Sequence, residues 1–145
     1  MNTLKFISLF IFGIVINHSL SAQNYEDSKS MKSQSYMRNF EKVECDDEGN
    51  TISGDNYTHK VCLNLYFQKM DSLMNIKFSE YLKEIKNDSI KSLVINYQEN
   101  WVENRRLQST IATSGIRGNM FSIVYISNMV FITRKRLEEL EYLLK

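Results

Sequence analysis

Arg105 carries the most chemical information in this chain of 145 residues. It continues a stripe with Tyr97 and Trp101 at i+4 steps, so a helix that buries those rings turns the guanidinium toward the core. A buried guanidinium costs several kcal/mol unless a carboxylate or carbonyl meets it. Asp71, Glu138 and Glu139 are the candidate partners. Stacked on Trp101, Arg105 is read as half of a structural ion pair; an anion site is the functional alternative.

Cys45 and Cys62 are the two cysteines, and in an oxidising compartment an even pair is expected to form a disulfide, not a two-ligand metal site. Closing the loop between them is worth about 3 kcal/mol on the chain-entropy account. Starting one residue before that loop, Glu44, Asp46, Glu48, Gly49 and Asp55 loosely imitate a calcium-loop spacing. The pattern opens on Glu and closes on Asp where a bidentate Glu is needed, so an ordinary solvated acidic turn is expected and no metal. No nucleophile comes with a base: G-x-S-x-G, HExxH and a glycine-rich phosphate loop are all missing, and His59 has no motif around it. Glu138 and Glu139 sit on a charged helical face, as a solvated surface does. Neither catalysis nor a cofactor is expected.

The elements that must position these groups are helices. In residues 58–86, Leu63, Tyr66, Phe67, Met70, Leu73, Met74, Phe78, Tyr81 and Ile85 recur at three and four, which predicts an amphipathic helix. Asn87 and Asp88 are natural capping residues. After them Ile90, Leu93, Val94, Tyr97, Trp101 and Arg105 predict a second helix to about Gln108. Residues 109–119 contain two glycines and small polar groups and read as a loop. Residues 120–144 are β-branched and aromatic enough to pass for a strand pair; one buried helix is the preferred reading. The fold expected is all-α, a small three-helix antiparallel bundle after a disulfide-tethered N-terminal loop.

Upstream, residues 1–22 have the order of a secretory signal peptide: Lys5, an apolar run from Phe6 to Ile16, and a polar stretch ending at Ala22. The run is shorter than the roughly 20 residues of a permanent membrane span. Cleavage after Ala22, or after Ser21, leaves no cysteine at the cut for lipidation. The expected product is periplasmic or secreted, with no stable membrane insertion. Residues 23–44, rich in Ser, Lys and Gln, read as a polar lead-in with little fixed structure. Residues 45–145 form the expected domain.

Composition narrows the partners. The formal net charge is +1, from 18 basic and 17 acidic residues, without the basic excess of a nucleic-acid binder. Losing the leader removes Lys5 and His18, which leaves His59 as the sole histidine and too few for a His-rich metal site.

Read in order, Cys62, then Asp71, Leu73 and Asn75 with Phe78, then Gln98, Trp101 and Arg105, then Gly118, then Thr133, Arg136 and Leu140 resemble the LprI-like lysozyme-inhibitor family. Its pattern is a Cys, a D-x-x-L-N-x-x-Y-like helix, a Q-x-x-W-x-x-x-R helix, a glycine-bearing loop and a T-x-x-R-x-x-x-L helix. Asp71, Leu73, Trp101, Arg105, Thr133 and Arg136 are the positions read as matching. Family members often carry a second Cys pair, at positions that here hold Ser109 and Asn128. The last loop would then be held by packing and not by a covalent bond.

The resemblance implies an exported helical binding module, with a lysozyme as protein partner and inhibition as activity. A lysozyme cleft holds two carboxylates, so a basic loop could plug it. Arg117, between Gly115 and Gly118, is the expected contact. The alternative is a structural or envelope-maintenance protein that binds another periplasmic protein and leaves lysozyme untouched.

Overall fold

The computed structural model describes residues 21–51 and 54–145. The expected leader over 1–22 lies, but for its last two residues, outside them. Four α-helices follow one another: α1 (Ser21–Lys32), α2 (Asn56–Glu84), α3 (Asp88–Ala112) and α4 (Asn119–Leu143). Short 3-10 turns at Ser35–Met37 and Phe40–Lys42 connect α1 to the disulfide loop. Among the described residues there is no strand, only an isolated bridge between Cys45 and Thr51.

The starts of α2 and α3 are written in their caps. The Asp55 side chain accepts from the Thr58 N–H at 2.8 Å, and the Asn87 side chain from the Ile90 N–H at 3.1 Å. Each satisfies one of the amide donors that a helix N-terminus leaves open. Four residues past the expected end at Gln108, α3 still continues. Ser109 and Thr110 send their hydroxyls back to the carbonyls of Arg105 and Arg106, four residues earlier, and so stay inside the helix. The connecting loop is correspondingly short, residues 113–118.

Residues 120–144, which could pass for strands, form one helix. Their buried positions, Ile123, Ile126, Met129, Val130, Thr133, Arg136 and Leu140, recur at three and four. Burial of that stripe outweighs the strand preference of its β-branched residues.

The three long helices pack up, down and up. Leu63 and Phe67 of α2 share a cluster with Ile123, Ile126, Met129 and Val130 of α4. Further along the same axis, Met74 and Phe78 meet Leu140, with Val94 and Trp101 of α3 against them. Thus α2 and α4 run parallel and α3 runs antiparallel to both, the expected bundle. Residues between the two apolar clusters, Asp71, Arg105 and Thr133, are buried and polar.

The expected lead-in of little fixed structure needs correction. Part of 23–44 is helical in α1, which packs on α2. Met31 joins the first apolar cluster, and its carbonyl accepts from Asn64 Nδ2 at 2.9 Å. Met31, Tyr36 and the buried Met37 anchor this segment together with polar contacts to buried partners, and such scattered contacts leave no periodicity in the sequence.

Cys45 and Cys62 form the expected disulfide across a sequence separation of 17. It ties the acidic loop to α2, where Gly49 lies against Tyr66 at φ 82°. No described helix is long and apolar enough to cross a membrane.

Candidate functional site

The polar layer is built around Arg105, whose side chain is fully buried. Its Nη1 donates to Asp71 Oδ1 at 2.7 Å and to Thr133 Oγ1 at 2.8 Å. Its Nη2 donates to Asp27 Oδ2 at 2.7 Å. Trp101 and Phe67 present their rings to the guanidinium carbon, at 4.9 and 5.2 Å from their centroids. Only Nε lacks a hydrogen-bond partner among the described residues. One guanidinium thus joins α1, α2, α3 and α4, as its planar fork allows and a lysine would not.

Each partner is itself held. Ser28 Oγ donates to Asp71 Oδ2 at 2.8 Å, and Thr133 Oγ1 donates to the Met129 carbonyl at 2.7 Å. Asp27 Oδ1 accepts from Arg106 Nε at 2.7 Å, so this carboxylate bridges two consecutive arginines. Burial opposes the charge on Arg106, but Asp27 and then Glu103 outweigh it and hold the guanidinium above its ordinary value.

Arg136 occupies the next layer. Its Nε donates to Gln98 Oε1 at 3.0 Å, while Gln98 Nε2 reaches the Met74 sulfur at 3.1 Å. Tyr97 lies under its guanidinium at 4.9 Å, and Glu139 pairs with Nη1 at 2.7 Å. Of the carboxylates considered for Arg105, Asp71 is the one it meets; Glu139 serves Arg136 and Glu138 serves Lys135.

The structure thus brings Asp71, Trp101, Arg105 and Thr133 together, with Arg136 one layer away. Leu73 stands apart on an outer face of α2, 40% exposed. Asp27 is the participant that sequence reasoning missed. Two adjacent arginines, one of them core-facing, call for a second carboxylate, and that demand is the one signal that pointed to it.

Ser109 and Asn128 face each other, with Asn128 Nδ2 donating to Ser109 Oγ at 3.3 Å. A weak hydrogen bond therefore occupies the place where the resemblance implies a covalent link.

In the acidic loop, Asp46 accepts from the backbone N–H groups of Glu48 and Asn50 and from the Asn50 side chain. Those contacts, the Asn50 side chain first, hold its carboxyl below the ordinary range. Its oxygens are engaged in closing the turn.

Arg117 lies at the far end of the α3–α4 loop, exposed and without an ion pair among the described residues. Gly115 and Gly118 flank it at φ 78° and 65°. Gly118, the α4 N-cap, has ψ −147°, a backbone region open essentially to glycine alone. Thr113 anchors the near side, buried, with its carbonyl accepting from the Ile116 N–H at 2.9 Å.

These features define an all-α domain anchored by one disulfide and stapled by a buried arginine. The family model described as Lysozyme inhibitor LprI matches residues 45–140, and the chain belongs to that family. The matched span contains α2, α3, Cys45, Cys62 and every partner of Arg105 except Asp27. No curated protein and no solved structure matches the chain.

Proposed function

We propose that this chain is an exported binding module that inhibits a lysozyme by occupying its cleft. The family match over residues 45–140 is the observation that carries this reading. The loop between α3 and α4 supports a mode of action. A muramidase cleft presents a pair of carboxylates to its substrate. Arg117 offers a guanidinium with no counter-charge among the described residues, on a loop whose course two glycines dictate. The module acts by filling the cleft and catalyses nothing itself.

Export agrees with the disulfide, which persists in oxidising compartments, and with the leader read over residues 1–22. A wall-degrading muramidase would be met there.

The loop assignment is tested by comparing the wild type with Arg117→Ala and Arg117→Lys in a lysozyme-dependent lysis assay. Inhibition weakened at least about tenfold in Arg117→Ala, with partial recovery in Arg117→Lys, is expected, since losing a charge-assisted contact in a desolvated cleft costs about 1.5–3 kcal/mol. Equal inhibition by all three removes Arg117 from the account.

A further inference from the structure

A cleft of about 520 Å³ opens between α1 and the first turns of α4. Its size falls within the range of small-molecule sites. Phe121 and Tyr125 line it with nearly parallel rings, 8° apart in plane and 6.4 Å between centroids. α1 contributes Asp27, the turn that follows α1 contributes Gln34, α3 contributes Arg106, and Ser122 adds a hydroxyl.

Two properties restrict what would bind. Among the described residues, the charged groups lining the cleft are one acid and one base, Asp27 and Arg106, already paired at 2.7 Å. A net charge on the ligand would gain little and would lose its hydration. Hydrogen-bonding capacity nevertheless remains. Arg106 uses Nε and Nη1 on Asp27 and Glu103, and Gln34 donates from Nε2 to the Ser30 carbonyl. Arg106 Nη2, Gln34 Oε1 and the hydroxyls of Ser122 and Tyr125 have no partner among the described residues. Among the described residues the cleft therefore combines two near-parallel aromatic rings with separate donors and acceptors at no net charge.

We propose that this cleft binds a neutral saccharide. A pyranose ring has an apolar face of C–H groups that packs on aromatic rings, and hydroxyls at its edge that both donate and accept. The proposal does not rest on lysozyme inhibition: Arg117 is not among the residues that line the cleft, so the cleft variants and the Arg117 variants test the two readings separately.

The test is titration of the purified, oxidised protein with an N-acetylglucosamine trimer, with maltotriose and with a trimer of an anionic hexuronate, followed by NMR shifts of the 27–36 and 121–126 amides. Ser122→Trp fills the cleft, and Phe121→Ser removes half of the aromatic wall from a side chain that is already 43% exposed. The expected result is binding of at least one neutral trimer, with shifts confined to those two segments. Each variant should weaken binding by about tenfold or more while the helical content stays that of the wild type. Preference between the neutral trimers tells an acetamido sugar from a plain hexose. No binding of either neutral trimer, tighter binding of the hexuronate, or unchanged affinity in both folded variants would overturn the proposal.

Discussion

Asp27 Oδ2 lies 2.7 Å from Nη2 of Arg105, a residue 78 positions further along the chain. The contact joins the first described helix to the centre of the bundle, and its carboxylate falls outside the span matched by the family. Asp71, inside that span, meets the same guanidinium through Nη1. The two carboxylates differ in surroundings: the Asp71 side chain is 1% exposed and that of Asp27 is 12% exposed.

That difference predicts unequal costs. Asp71→Ala leaves a buried guanidinium short of its better-shielded partner and should destabilise by about 3–5 kcal/mol. Asp27→Ala should cost less, about 1.5–3 kcal/mol, because water reaches that end of the pair. Its loss should appear first as faster amide exchange in α1. Denaturant unfolding with hydrogen exchange checks both; equal costs, or unchanged exchange in α1, would contradict the scheme.

Ser109 and Asn128 predict a gain. The double variant Ser109→Cys and Asn128→Cys should oxidise spontaneously, closing a loop across a separation of 19 worth about 3 kcal/mol on the chain-entropy account. Thiol counting and the change in Tm on adding reductant measure it. Thiols that stay free would mean that these positions are not held close enough for a bond.

Gly49 predicts a loss. A Cβ there would fall 2.6 Å from the Cβ of Tyr66, whereas one at Gly54 meets nothing within 4 Å. Both have positive φ, so Gly54→Ala bears only the backbone strain, about 1–2 kcal/mol. Gly49→Ala adds displacement of the disulfide loop from α2 and should be the more destabilising by a further 1–3 kcal/mol or so. Thermal unfolding of the two variants side by side decides it, and equal losses would refute the close approach.

The acidic turn predicts a pH dependence. Because the folded Asp46 carboxyl titrates below its ordinary value of 3.8, it stabilises the turn fully above that pH. The contribution disappears as the pH falls through the lowered folded value. NMR titration should therefore find the Asn50 amide shift flat above about pH 4 and changing only below it. A midpoint at or above the ordinary value would exclude the hydrogen-bonded turn.

Much of the buried cluster was legible in the sequence, because Trp101 and Arg105 share a stripe and a core-facing guanidinium demands an acid. The i+4 step overshoots a full turn, so the same stripe drifts around α3, from exposed Tyr97 through half-buried Trp101 to buried Arg105. Leu73 fits the helical spacing of α2 but sits on the side that no other helix covers well. Asp27 could not be placed, since the described contacts of α1, Asp27 and Ser28 on the polar layer and Met31 on the apolar cluster, leave no period to detect. Glu138 and Glu139 lay near enough in pattern to compete for Arg105, and only the register of α4 assigns them to Lys135 and Arg136.

The most direct test of inhibition is lysis of a peptidoglycan suspension by lysozyme while the oxidised protein is titrated in. The account predicts that lysis falls to zero near one equivalent for at least one type of lysozyme. Full lysis at large excess of folded protein, repeated with several lysozyme types, would contradict it and turn attention to other envelope partners.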